Sequence, residues 1–166
     1  MEVQAVLYVS ATGFTRRYAQ MLAEAAGLPA CPARGPGAPA PGAAVVYLGW
    51  LCAGRVRGLR RARTRYDVLA VCAVGMSPLE MVPLLRLAKD NGLEGAPLFY
   101  LRGGYAPDRL TLPWRLMMAP MARKVDRERT EDPMALAMKE AFAHGADWVS
   151  PEALDPVLDW LRQGDA

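Results

Sequence analysis

Short apolar runs in this chain are separated by Gly- and Pro-bearing segments and alternate with stretches of helical spacing. The run Val3-Gln4-Ala5-Val6-Leu7-Tyr8-Val9 is rich in β-branched residues and ends in a polar loop, which predicts a strand. Beyond it, Phe14, Tyr18, Met21, Leu22 and Ala25 recur at spacings of three and four, the buried stripe of a helix closed by Gly27. Residues 28–33 carry Pro29 and Pro32 and predict an edge strand. Residues 34–42 are Gly- and Pro-rich and predict a loop without a helix. Residues 43–48, 66–74 and 97–101 predict three buried strands. Residues 78–91 predict a helix in which Leu79, Val82, Leu85 and Leu87 supply the apolar contacts.

The segment 106–147 predicts a helical insertion. In it Trp114, Met117, Met118, Met121 and Val125 share one face, and Pro120 should break or kink the helix. That face is either core or a surface for a lipid, a quinone or another subunit. Ser150 as N-cap, Pro151 at the first position and Glu152 in the first turn open a last helix over 151–161. Strands alternating with helices imply parallel βαβ units and a doubly wound sheet, so the class is α/β, in one domain spanning 1–166. Ligands in such sheets sit beyond the carboxyl ends of the strands, at the switch point in strand order. Residues 10–15 and 49–54 fall there.

The first of those loops, Ser10-Ala11-Thr12-Gly13-Phe14-Thr15, joins a strand to a helix. The first amides of a helix have no intrahelical partner and carry partial positive charge, so an anion fits them. Ser10, Thr12 and Thr15 each bring a hydroxyl donor, and Gly13 permits positive φ or close approach. One hydroxyl would suit a simple cap; three around a glycine favour phosphate. Neither G-x-x-x-x-G-K-[ST] nor a strand-borne G-x-G-x-x-G is present. Ser10 and Arg16 have the spacing of a phosphatase loop, but the serine has no neighbouring base to activate it.

This loop resembles that of flavodoxin-like FMN proteins, whose pattern is a strand followed by S/T-x-T-G-x-T. Leu48-Gly49-Trp50, Ala73-Val74-Gly75-Met76 and Phe99-Tyr100-Leu101-Arg102-Gly103-Gly104-Tyr105 sit where such domains place later strand ends. The Arg-Gly-Gly-Tyr segment and the helical stretch after it resemble a bacterial group related to menaquinone-dependent protoporphyrinogen IX dehydrogenase. The resemblance implies a five-stranded sheet of order 2-1-3-4-5 with a helical insertion after strand 5, and FMN as cofactor. Under it, Ser10, Thr12, Gly13, Phe14 and Thr15 hold the phosphate, while Trp50, Leu51, Cys52, Gly75, Met76, Arg102, Gly103, Gly104 and Tyr105 surround the ring. Trp50 either stacks on the ring or packs under the arginine-rich segment that follows. Arg102 either binds an anionic edge or carboxylate or belongs to a plain tight turn.

Composition narrows the partners. Arg55, Arg57, Arg60, Arg61, Arg63 and Arg65 fall within eleven residues with no acid among them. A helix there would bury Val56, Leu59 and Ala62 and leave the arginines to solvent, an acidic partner, anionic lipid or a dinucleotide phosphate. Nucleic acid is not expected, because interleaved aromatics and binding motifs are missing. Cys31, Cys52 and Cys72 form no paired framework, and no apolar run reaches the ~20 residues of a membrane span. The expected setting is cytoplasmic, with peripheral contact at the inner membrane face as a further expectation. His144 reads as a helix-end residue and no metal site is expected. Three functions follow: an oxidoreductase passing electrons from an organic substrate such as a porphyrinogen to a quinone, a non-enzymatic FMN carrier docking on redox proteins, and, as the weaker third, a flavodoxin-fold interaction module that has lost its flavin.

Overall fold

The computed structural model describes residues 2–93 and 95–164. Five parallel strands form its sheet: β1 (Ala5–Val9), β2 (Ala30–Pro32), β3 (Ala44–Cys52), β5 (Asp67–Gly75) and β6 (Leu98–Arg102), in the order β2-β1-β3-β5-β6. A short strand β4 (Arg55–Val56) pairs antiparallel with the end of β3. Counting parallel strands alone, the order is 2-1-3-4-5, that of flavodoxin-like doubly wound folds. β2 is a three-residue edge, as its prolines require.

Strand alternation sends successive side chains to opposite faces, and each face receives its own helices. Val6, Val46, Leu48, Cys72, Val74 and Leu101 pack against α1 (Phe14–Ala26) and α6 (Asp155–Gly164). Leu7, Val45, Tyr47, Val71, Ala73 and Tyr100 pack against Leu59 and Ala62 of α2 (Leu59–Arg63) and Leu87 of α3 (Leu84–Asp90). Each fully buried aliphatic side chain adds about 1.5–3 kcal/mol relative to exposure, so this two-sided burial fixes the register of the strands. Gly27 closes α1 at φ 67°, donating to the carbonyls of Ala23 and Glu24.

Several expected boundaries move. The helix predicted over 78–91 is a 3-10 turn (Leu79–Met81) followed by α3, because Pro83 cannot continue a helix through it. Leu79 and Leu85 are consequently exposed rather than core, at 52% and 90%. The segment 55–65 is helical only over Leu59–Arg63, although Val56, Leu59 and Ala62 are buried as expected. The last helix begins as a 3-10 turn (Pro151–Leu154), and Ala25 of α1 is exposed.

By its internal contacts the chain forms two units, residues 1–103 with 149–166, and residues 104–148. The second consists of the ribbon β7 (Gly104–Tyr105) with β8 (Ala146–Asp147) and helices α4 (Leu112–Arg127) and α5 (Pro133–His144). α4 runs through Pro120 rather than ending there. Asp132 caps α5, accepting from the Met134 amide at 3.3 Å, and Tyr105 packs on Phe142 with ring centroids 5.0 Å apart. His144 is the exposed last residue of α5.

Candidate functional site at the carboxyl edge of the sheet

β1 ends at Val9, paired with Gly49 of β3, and its neighbours β2 and β3 lie on opposite sides. That is the switch point, and the loop of Ser10 to Gly13 rises from it. Ser10 Oγ accepts from the Gly13 amide at 3.1 Å, closing the loop on itself. Gly13 stands at the N-cap of α1 with φ 102°, a conformation that excludes most other residues, and as a glycine it brings no side chain of its own to cap the helix. The first turn contains no acid; Arg16 and Arg17 are there instead, both exposed. Cations oppose the helix dipole at this end, and a bound anion reverses the conflict. Thr15 is the single non-aromatic polar residue buried among the described ones, at 2% exposure.

The Trp50 segment departs from expectation. Trp50, Leu51 and Cys52 are not a loop after the strand but its last three residues. β3 overshoots β1 and folds back through Ala53 and Gly54, whose φ values of 49° and 74° are the positive pair that a two-residue type I′ hairpin demands. Trp50 pairs with Val74 of β5, and by alternation with Leu48 it lies on the α1 side of the sheet. The Arg57 guanidinium sits over its indole, 5.7 Å from the ring centroid.

Asn91 holds this hairpin. Its Oδ1 accepts from the Val56 amide at 2.9 Å, and its Nδ2 donates to the carbonyls of Gly54 at 2.9 Å and Leu87 at 2.8 Å. Arg55 donates to the carbonyl of Asp90, and Arg63 to that of Gly92 at 2.7 Å, so two of the arginines satisfy carbonyls at and beyond the end of α3. The cluster is therefore part scaffold. Asn91→Ala leaves the Val56 amide without its acceptor and should cost about 1–3 kcal/mol. Hydrogen exchange at Val56 should accelerate, and unchanged protection would contradict the role.

The remaining strand ends close the site. Gly103 donates to the carbonyl of Gly75 at 2.7 Å, and Arg102 Nε donates to that of Met76 at 3.0 Å. A Cβ on Gly103 would lie 2.7 Å from Val74 Cγ1 and 3.4 Å from Phe14 Cβ, so the ends of β5 and β6 touch the start of α1. Tyr18, at 0% exposure, donates to the Arg102 carbonyl at 2.6 Å and accepts from the Ser150 amide at 3.2 Å. Arg102 ends β6, and the chain runs on through Gly103 into β7, so no tight turn exists here. Gly104 and Tyr105 belong to the second unit, where Tyr105 is buried. The expected residues from Ser10 to Thr15, Trp50 to Cys52, Gly75, Met76, Arg102 and Gly103 thus share one edge of the first unit.

Buried hydroxyls at this edge hold their protons. Burial pushes Tyr100 up to about 12 against the opposing pull of Arg102, and its hydroxyl donates to the Ser77 carbonyl at 2.8 Å. Burial likewise raises Tyr47, whose hydroxyl donates to the Arg57 carbonyl at 2.6 Å beside Arg34 and Arg57. Both folded values lie above the ordinary tyrosine value, so the unfolded chain releases these protons first. Their contribution is intact below pH ~10 and is lost as pH climbs toward the folded values. Denaturant midpoints should therefore fall between pH 10 and 12, the range spanned by Tyr100. Tyr100→Phe should flatten that decline. Burial also raises the Cys72 thiol, which suits an inert core residue.

No protein-family model matches the chain, nor does any curated protein sequence. Among solved structures it is similar to the flavodoxin, WrbA-like protein from Agrobacterium tumefaciens, at 15% identity over 75% of this chain and 99% of that one, with a TM-score of 0.40. The flavodoxin-like class stated above stands on strand order and on the two helical layers.

Proposed function

We propose that the chain binds FMN and serves oxidation and reduction. The observation that carries this reading is the loop of Ser10 to Thr15 at the switch point. It has a left-handed glycine N-cap that brings no side chain of its own, three hydroxyls, and two arginines where a helix ordinarily prefers acids. These residues fit a phosphate: Thr12 and Thr15 supply hydroxyls, the amides of the first turn supply donors, and Arg16 and Arg17 supply charge. The hairpin supplies Trp50 as an aromatic surface braced by Arg57, and Gly75, Met76 and Gly103 supply backbone at the neighbouring strand ends. FMN, when bound, supplies one- and two-electron transfer; the chain's part is to hold, orient and shield it.

The finer reading is an enzyme similar to protoporphyrinogen dehydrogenase, oxidising an organic substrate with a quinone acceptor. The resemblance of Arg102-Gly103-Gly104-Tyr105 and of the helical segment after it supports this. In this reading Arg102, whose Nε donates to the Met76 carbonyl, is the residue that meets a substrate carboxylate. Purified protein should be yellow or should take up FMN stoichiometrically, and should then oxidise a porphyrinogen only when quinone is present. Flavin uptake with electron exchange to redox proteins but no porphyrinogen turnover would mark a carrier instead. Failure to take up FMN would remove both.

A further inference from the structure

α4 is the element that the flavin reading leaves without a task. None of its residues is buried, although the helix runs from Leu112 to Arg127. Trp114, Met118 and Val125 are half-buried and mark its packed side, where α4 meets α5. Leu112, Leu116, Met117 and Met121 are 67%, 64%, 49% and 53% exposed. At about 3.6 residues per turn these four share one half of the helix circumference, together with exposed Pro113 and Pro120. Arg123, Lys124 and Arg127 lie on that same half toward the C-terminus, while Asp126, the acid of this helix, falls outside it. The exposed half therefore combines apolar side chains with cations and holds no anion. The expectation that Met117 and Met121 share the face of Trp114 and Met118 is corrected: the packed and exposed sides divide between them.

We propose that α4 lies in the headgroup plane of an anionic bilayer, with Leu112, Leu116, Met117 and Met121 inserted among the lipids and Arg123, Lys124 and Arg127 at the phosphates. This goes beyond the flavin reading and does not depend on it. Apolar side chains of this kind lower their free energy at the acyl boundary, and long basic side chains reach back to the headgroups. No helix among the described residues is long and apolar enough to cross a membrane, so the contact lies along the surface. A second copy of the chain fits this face worse, since it would cover three cations with a face that brings no anion to pair with them.

The test uses the full chain without added flavin, sedimented with vesicles of phosphatidylcholine containing about one-third phosphatidylglycerol and with pure phosphatidylcholine vesicles. Binding to the anionic vesicles, weakened by high salt, is the expected result. Each cation near such a surface strengthens binding roughly fivefold, so Arg123→Gln/Lys124→Gln/Arg127→Gln should weaken it on the order of 100-fold. Leu116→Ser/Met117→Ser should also release the protein, and because both positions are exposed its circular dichroism should stay unchanged. Arg60→Gln/Arg61→Gln in the first unit should leave binding intact. Sedimentation that depends on Arg60 and Arg61 rather than on α4 would overturn the proposal. So would an absence of vesicle binding, or a Leu116-dependent dimer in its place.

Discussion

Thr12→Val/Thr15→Val should raise the dissociation constant for FMN by roughly 10²- to 10⁴-fold. A hydrogen bond to a charged group contributes about 1.5–3 kcal/mol, and this change removes two hydroxyl donors while keeping the side-chain shape. Riboflavin, which lacks the phosphate, should bind wild type and variant alike, so the preference for FMN should collapse. Thr12 is half-exposed and Thr15 buried at the second position of α1, so both belong to the start of the helix rather than to the sheet core. Fluorescence quenching of each flavin measures the two affinities directly. Equal FMN affinity in variant and wild type would contradict the phosphate loop.

Tyr18→Phe should destabilise the first unit by about 2–4 kcal/mol, because it strands two partly buried backbone groups at once. The lost hydroxyl donates to the Arg102 carbonyl and accepts from the Ser150 amide, joining α1 to the end of β6 and to the returning segment before α6. At this chain length each kcal/mol shifts the melting temperature by about 2–4 °C, so a fall of roughly 5–15 °C is expected. Calorimetry or a urea titration reads it. FMN affinity should also drop, since Arg102 and Gly103 are anchored by the same hydroxyl. A melting temperature within a degree of wild type would show that the bridge contributes little.

The strand–loop–helix at the start of the chain was legible because its signals agree: β-branched run, hydroxyl loop, glycine, helical stripe. The edge strand and its proline-rich loop were legible for a similar reason, since proline constrains backbone whatever surrounds it. Trp50 was harder. The apolar run from Ala44 to Cys52 shows no break at Leu48, and only the Ala53-Gly54 pair marks the hairpin. Alanine at positive φ is a weak turn signal, so the strand looked shorter than it is. The arginine segment read as a helix because its apolar residues have helical spacing, while its first two residues are held in a strand by Asn91, far along the sequence.

Asn91 itself was invisible as a site residue. An Asn-Gly pair after a helix reads as a stop signal, and its three side-chain bonds exist only once the hairpin is in place. Tyr18 was legible as core but not as a bridge, since its hydroxyl partners lie 84 and 132 residues away. In α4 the periodicity identified the helix correctly. Which half faces outward depends on where α5 packs, and that is a tertiary fact.

The central claim is that the amides and hydroxyls at the head of α1 grip a phosphoryl group. Phosphorus NMR of FMN mixed with the protein, followed from pH 5 to 8, addresses that group alone; its second ionisation falls near pH ~6 when free. The account predicts a resonance displaced from that of free FMN, with its titration suppressed or moved to lower pH by the surrounding donors. A resonance that keeps the free position and titrates as in water would contradict it.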